Sequence, residues 1–223
     1  MEKSLARELL RTGYKRDRKP IAVHGTCVEA AVRLLETGVL PTSYDFDRRK
    51  KHPSYRGYLF FTPRAVAFSG KPEIYKNIRD NPDLTGSIET LEHGASLYAG
   101  AKQRNLYLLE LFGSLWPKDL DLDPENGYDL SGIEVAEIFI PKDKKYRKYR
   151  KQGTLGKELE SRNGVIIGLN EEALELDFKP GADDPEDEVI VHLPNGLKEE
   201  YVLYIRPLGD REEIMLEKVV KSL

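Results

Sequence analysis

The sequence predicts an α+β protein. Two observations carry that expectation. Helical periodicity is confined to a few segments, mostly in the first half, while the later half is a series of short apolar runs bounded by Gly, Pro and charged turns. The chain also lacks the regular strand–helix alternation that a doubly wound parallel sheet requires.

The elements follow in order. Residues 4–12 read as a short helix ending at Gly13. Pro20 to His24 reads as a strand. Thr26-Cys27-Val28-Glu29 fits a capping box, in which the Thr hydroxyl caps a helix and Glu reaches back. Val28, Ala31, Val32 and Leu35 then recur at helical spacing until Gly38 stops the helix. "TSYDFDRRKKHPSYRG" is a polar, basic loop, and "YLFF" is strand-like. Thr62-Pro63 reads as a helix start, with a cap and then proline in the first turn. The breakers in "GKPEIYKNIRDNPDLTG" suggest a surface excursion. Ser87 opens a helix whose apolar face carries Ile88, Leu91, Ala95, Tyr98 and Ala99. "NLYLLELFG", "GIEVAEIFIP", "GVIIGL", "EVIVHL" and "EYVLYIRP" read as strands, and "DREEIMLEKVVKSL" as the last helix.

Composition narrows the class. The 223 residues are 39% hydrophobic and 33% charged, enough for a real core beneath a charged surface. A net charge of -3 offers no global field for nucleic acid or membrane. The apolar runs are too short to span a bilayer, so no membrane partner is expected. The charged first segment has no apolar signal region, so a cytoplasmic location is expected. One cysteine, Cys27, allows neither an intrachain disulfide nor a cysteine metal cluster, and no metal is expected.

The densest chemistry lies in "VHGTCVEAA", where a strand ends at His24-Gly25 and a helix opens at once. Glycine permits close approach of a ligand to the backbone. A helix N-terminus offers unpaired N–H groups, and histidine adds one donor and one acceptor. The combination suits a polar ligand carrying an amide or a ribose. The alternative is a core histidine beside a turn glycine.

The order of "VHGTCVEAAVRLLETGVLP", "GYLFFTPRAVAF", "ASLYAG", "LYLLEL" and "IEVAEIFIP" resembles the ADP-ribosyltransferase superfamily. The branch is the one built around His-Tyr-Glu, which holds diphtheria-type toxins and poly(ADP-ribose) polymerases. The resemblance covers roughly residues 20–141. It implies a split β-sandwich with flanking helices and an NAD cleft, plus a strand-rich C-terminal portion. It divides the chain into a helical extension (1–19), a core (20–141) and a remainder (142–223) that completes the sheet or forms a small subdomain.

The resemblance also implies site residues and a reaction: transfer of ADP-ribose from NAD to a protein or nucleic acid, with release of nicotinamide. His24 would hold a ribose, and the Gly25 backbone would pair with the nicotinamide amide, with Thr26 beside them. The stacking aromatic is Phe60 if the alignment is made on Thr62-Pro63, or Tyr58 if on Gly57. Tyr98 is a second candidate for stacking, although its spacing also suits a core position. Cleavage of the nicotinamide–ribose bond builds positive charge on the ribose, so a carboxylate is needed beside it. Glu134 ranks first for that role, then Glu200, then Glu137.

Two basic runs, 48–56 and 142–151, interleave Lys and Arg with Tyr or His. Such runs can grip nucleic acid through phosphates and stacking, but most are solvated surface. His52, His93 and His192 have no metal spacing and read as surface residues. The alternative to an enzyme is a non-catalytic nucleotide- or nucleic-acid-binding domain of the same fold.

Overall fold

Six strands form one sheet in the order β5-β6-β3-β1-β4-β8, every neighbouring pair antiparallel. The strands are β1 (Ala22–Thr26), β3 (Tyr58–Pro63), β4 (Val165–Leu169), β5 (Lys179–Pro180), β6 (Val189–His192) and β8 (Val202–Pro207). The computed structural model describes residues 1–15, 19–42, 57–112, 154–181 and 185–223. The mixed α and β content agrees with an α+β fold. Strands from 165–207 share the sheet with strands from 22–63.

β1 and β4 are buried at every position, as central strands covered on both faces must be. β3 alternates instead: Leu59, Phe61 and Pro63 are buried, while Tyr58, Phe60 and Thr62 are half-buried. Phe61, Phe68 and Phe178 pack edge-on in the core below it. β2 (Val39–Leu40) pairs separately with β7 (Leu197–Lys198).

The helices are α1 (Lys3–Gly13), α2 (Val28–Thr37), α3 (Pro72–Ile78), α4 (Pro82–Thr85), α5 (Ile88–Phe112), α6 (Thr154–Glu160) and α7 (Asp210–Ser222). α2 ends as its glycine predicts, with Gly38 left-handed at φ 77° and its N–H on the Leu34 carbonyl. α1 lies along β8, burying Ala6, Leu9 and Thr12.

Three segments differ from the sequence reading. "NLYLLELFG" is not a strand but lies largely within α5. Its leucines suit a helix as well as a strand, and a helix already under way adds residues at low cost. The proposed surface excursion folds into α3 and α4, each begun by a proline and anchored by buried Ile74, Ile78 and Leu84. Thr62-Pro63 closes β3, and a short 3-10 helix, Ala65–Phe68, follows.

Candidate functional site

The sheet is joined at its centre by a short ladder. β1 and β3 pair only at Ala22↔Pro63 and Val23↔Thr62. The next rung would carry the Gly25 amide to the Phe60 carbonyl. That carbonyl instead meets the His24 ring, with Nδ1 2.6 Å away. A carbonyl only accepts, so Nδ1 carries the proton and Nε2 is left as an acceptor in the neutral ring. Burial first, and then the Lys102 ammonium, drives the His24 pKa down to about 3. The ring is therefore neutral at ordinary pH. It is only 4% exposed and lies 5.4 Å from the Phe61 ring. The β1–β3 ladder thus ends where the His24 ring takes the Phe60 carbonyl. By the alternation of an antiparallel ladder, the Gly25 N–H and C=O point toward the β3 side.

The glycine itself answers to packing. A Cβ on Gly25 would overlap the Ala95 carbonyl oxygen and lie 2.9 Å from the Ala99 nitrogen of α5. Gly164, left-handed just before β4, meets the Ala99 carbonyl and the Thr26 carbonyl in the same way. The expectation that Gly25 lacks a side chain to admit a ligand is therefore corrected: α5 occupies that space.

The predicted capping box also differs. Thr26 is the last residue of β1 and pairs with Val165, so it cannot cap. Cys27 occupies the N-cap with no side-chain bond. The Val28 amide donates to Gln103 Oε1 of α5 at 2.7 Å, and Gln103 Nε2 donates to Glu29 Oε2 at 2.9 Å. Arg211 of α7 pairs with Glu29 at 3.6 Å. Gln103 is 1% exposed, yet the sequence reading passed over it. The signal was present: Ala95, Ala99 and Gln103 form one i, i+4 stripe, visible once α5 is read through residue 103. The Cys27 thiol is pushed up to about 12 by burial, with the Glu29 charge adding to the shift. It is therefore protonated and unsuited to be a nucleophile.

The aromatic candidates take different places. Phe60 supplies the carbonyl held by His24, and its half-buried ring shares a face with Tyr58 and Thr62. The Tyr58 ring stacks on exposed His192, 4.7 Å between centroids. Tyr98 is 47% exposed on α5, beside buried Ala95 and Ala99, so it is not a core residue. Thr26 is buried at 5% exposure. His93 is exposed on α5.

Glu200 is not brought to His24. It sits exposed in a 3-10 turn, Glu199–Tyr201, 3.3 Å from Lys198. Val202 pairs with Leu169, whose carbonyl accepts from Ile21, so this turn lies at the end where β1 begins. His24 lies further along β1 and one strand beyond β4. Glu134, Glu137 and the basic runs 48–56 and 142–151 lie outside the described residues.

A different glutamate is deeply buried. Glu92 of α5 is 3% exposed and accepts from the Tyr204 hydroxyl and the Arg206 guanidinium of β8. Burial first, then the Glu92 charge, drives the Tyr204 pKa upward. The Tyr204 ring fills the space above Gly168. This triad ties α5 to the far side of the sheet and sets its path over Gly25.

Among the described residues, no three His, Cys, Asp or Glu side chains gather as a metal site, and no helix is long and apolar enough to cross a membrane. No family model, curated protein or solved structure matches the chain.

Proposed function

We propose that this chain is an NAD-dependent ADP-ribosyltransferase, built on a split sheet of the ADP-ribosyltransferase type. The observation that carries the reading is the parting of β1 from β3 at His24 and Phe60. A backbone N–H and C=O on one extended residue can make two hydrogen bonds to a carboxamide, and Gly25 turns such an edge to the opening. A neutral His24 with Nε2 as acceptor suits a ribose hydroxyl. Phe60, or Tyr58 two residues away on the same face, suits stacking of the nicotinamide ring.

In this scheme binding orients NAD, and the chemistry breaks the bond between nicotinamide and ribose. Nicotinamide leaves with the bonding electron pair, and the cationic ribose carbon is captured by the acceptor's nucleophile, which gives up its proton. A carboxylate stabilises the cation; Glu134 is preferred over Glu200 and Glu137. The acceptor is a protein or a nucleic acid.

A second reading, a non-catalytic nucleotide- or nucleic-acid-binding domain, draws on the position of Glu200, which is exposed and held by Lys198. Titration calorimetry with NAD, beside a nicotinamide-release assay with protein and RNA acceptors, separates the two. Binding with release supports the enzyme. Binding without release transfers the case to the second reading, and neither binding nor release rejects both NAD-dependent schemes.

A further inference from the structure

α1 and α7 run beside one another at the β8 edge, and a groove of about 400 Å³ lies between them. Its floor is apolar: Leu10, Pro207, Leu216 and Val220. Its walls carry matched stripes of opposite sign. On α1 and its C-cap the positions i, i+3, i+4 and i+7 are Arg7, Leu10, Arg11 and Tyr14. On α7 the same positions are Glu213, Leu216, Glu217 and Val220. Charge, leucine, charge and a large apolar residue repeat in both, with the charge inverted.

The two walls do not neutralise one another within the chain. Arg7 and Arg11 are exposed, and among the described residues neither is in an ion pair. Glu217 is paired with Lys221 on its own helix, and burial first, then the nearby Glu213, pushes the Tyr14 pKa up to about 12. Tyr14, which lines the groove, is 55% exposed.

We propose that this face binds a second copy of the chain, as a two-fold dimer in which α1 of each copy packs on α7 of the other. A two-fold axis makes one patch meet itself, so residue i meets j and j meets i. The arginine stripe of each α1 then faces the glutamate stripe of each partner α7, and Leu10 and Tyr14 close over a shared floor. The result is a four-helix layer. A foreign partner would have to match both signs at once, whereas a second copy does so by symmetry. The inference is independent of the NAD reading.

Sedimentation velocity tests it across a range of concentration and salt. The wild type is expected to sediment as a dimer of the 25.4 kDa chain, weakening as salt rises. R7E/R11E and E213R/E217R are each expected to sediment as monomers, since each sets like charge against like at both contacts. An equimolar mixture of the two variants is expected to restore a dimer, because both contacts in the heterodimer are again of opposite sign. Circular dichroism of each variant reports whether it folds. A wild type that is monomeric at every concentration overturns the proposal. So does a dimer indifferent to both charge reversals, or a mixture of folded variants that stays monomeric. If either variant fails to fold, the wild-type sedimentation alone decides.

Discussion

Gly25 of β1 and Ala95 of α5 approach so closely that a Cβ on Gly25 would overlap the Ala95 carbonyl oxygen. The contact is backbone against backbone, so no rotamer change can relieve it. It fixes how near α5 lies to the strand that carries His24.

Gly25→Ala is therefore expected to destabilise the fold by roughly 1–3 kcal/mol, the usual cost of overpacking a dense contact. Urea denaturation measures it. Ala95→Gly should not rescue the loss, because the clash is with the carbonyl and not with a side chain. Rescue by that second change would show that α5 lies farther away.

The buried, neutral His24 predicts a pH dependence. Its pKa falls from 6.5 to about 3 on folding, so between those values the unfolded chain binds one more proton. Its contribution is fully present above pH 6.5 and is lost as pH falls toward 3. The slope is about 1.4 kcal/mol per pH unit, so moving from pH 7 to pH 5 costs about 2 kcal/mol. Urea midpoints of wild type and His24→Asn at the two pH values isolate this part, and the variant should lose less. Equal losses would place a titrating or solvated histidine at this position.

Gln103 ties three elements, α5, α2 and, through Glu29, α7. Gln103→Leu keeps the bulk but leaves the Val28 amide without its partner and removes the amide bond to Glu29, which keeps Arg211. The expected loss is about 1–3 kcal/mol, the cost of stranding buried polar groups. Thermal denaturation reads it. A neutral result would mean that water replaces the amide.

The transferase reading predicts different effects at different glutamates. Gln at the catalytic position should lower nicotinamide release on the order of a hundredfold to a thousandfold with little change in NAD affinity, since its charge acts chiefly on the cationic transition state. Glu134→Gln is expected to behave so, and Glu200→Gln to leave turnover unchanged because its carboxylate faces Lys198. His24→Ala should weaken NAD binding instead. Single-turnover release assays with calorimetry distinguish these roles, and a large turnover loss at Glu200 alone would reverse the ranking.

Much of the fold was legible in the chain. The strands 165–169, 189–192 and 202–207 coincide closely with apolar runs bounded by Gly, Pro or charged turns, and such runs have few alternatives. Gly38 ended α2 because a left-handed residue there satisfies a helix carbonyl, a local matter. "NLYLLELFG" was misread because its pattern fits two periods, and only the preceding helix, held by Glu92 to Tyr204 and Arg206, decided between them.

The sequence by itself determined the α+β character, most element boundaries and the local identity of the joint at His24-Gly25, since periodicity and turn chemistry act over a few residues. Tertiary structure decided what those residues face. Gly25 lacks a side chain because Ala95, 70 positions later, arrives above it. The Val28 amide is met by Gln103 and not by Thr26, because pairing with Val165 holds Thr26 in the sheet. His24 is neutral because the fold buries it, and it takes the Phe60 carbonyl where the β1–β3 ladder ends. Each of these is set by a partner distant in sequence, and a pattern read over a few neighbours contains no distances between elements.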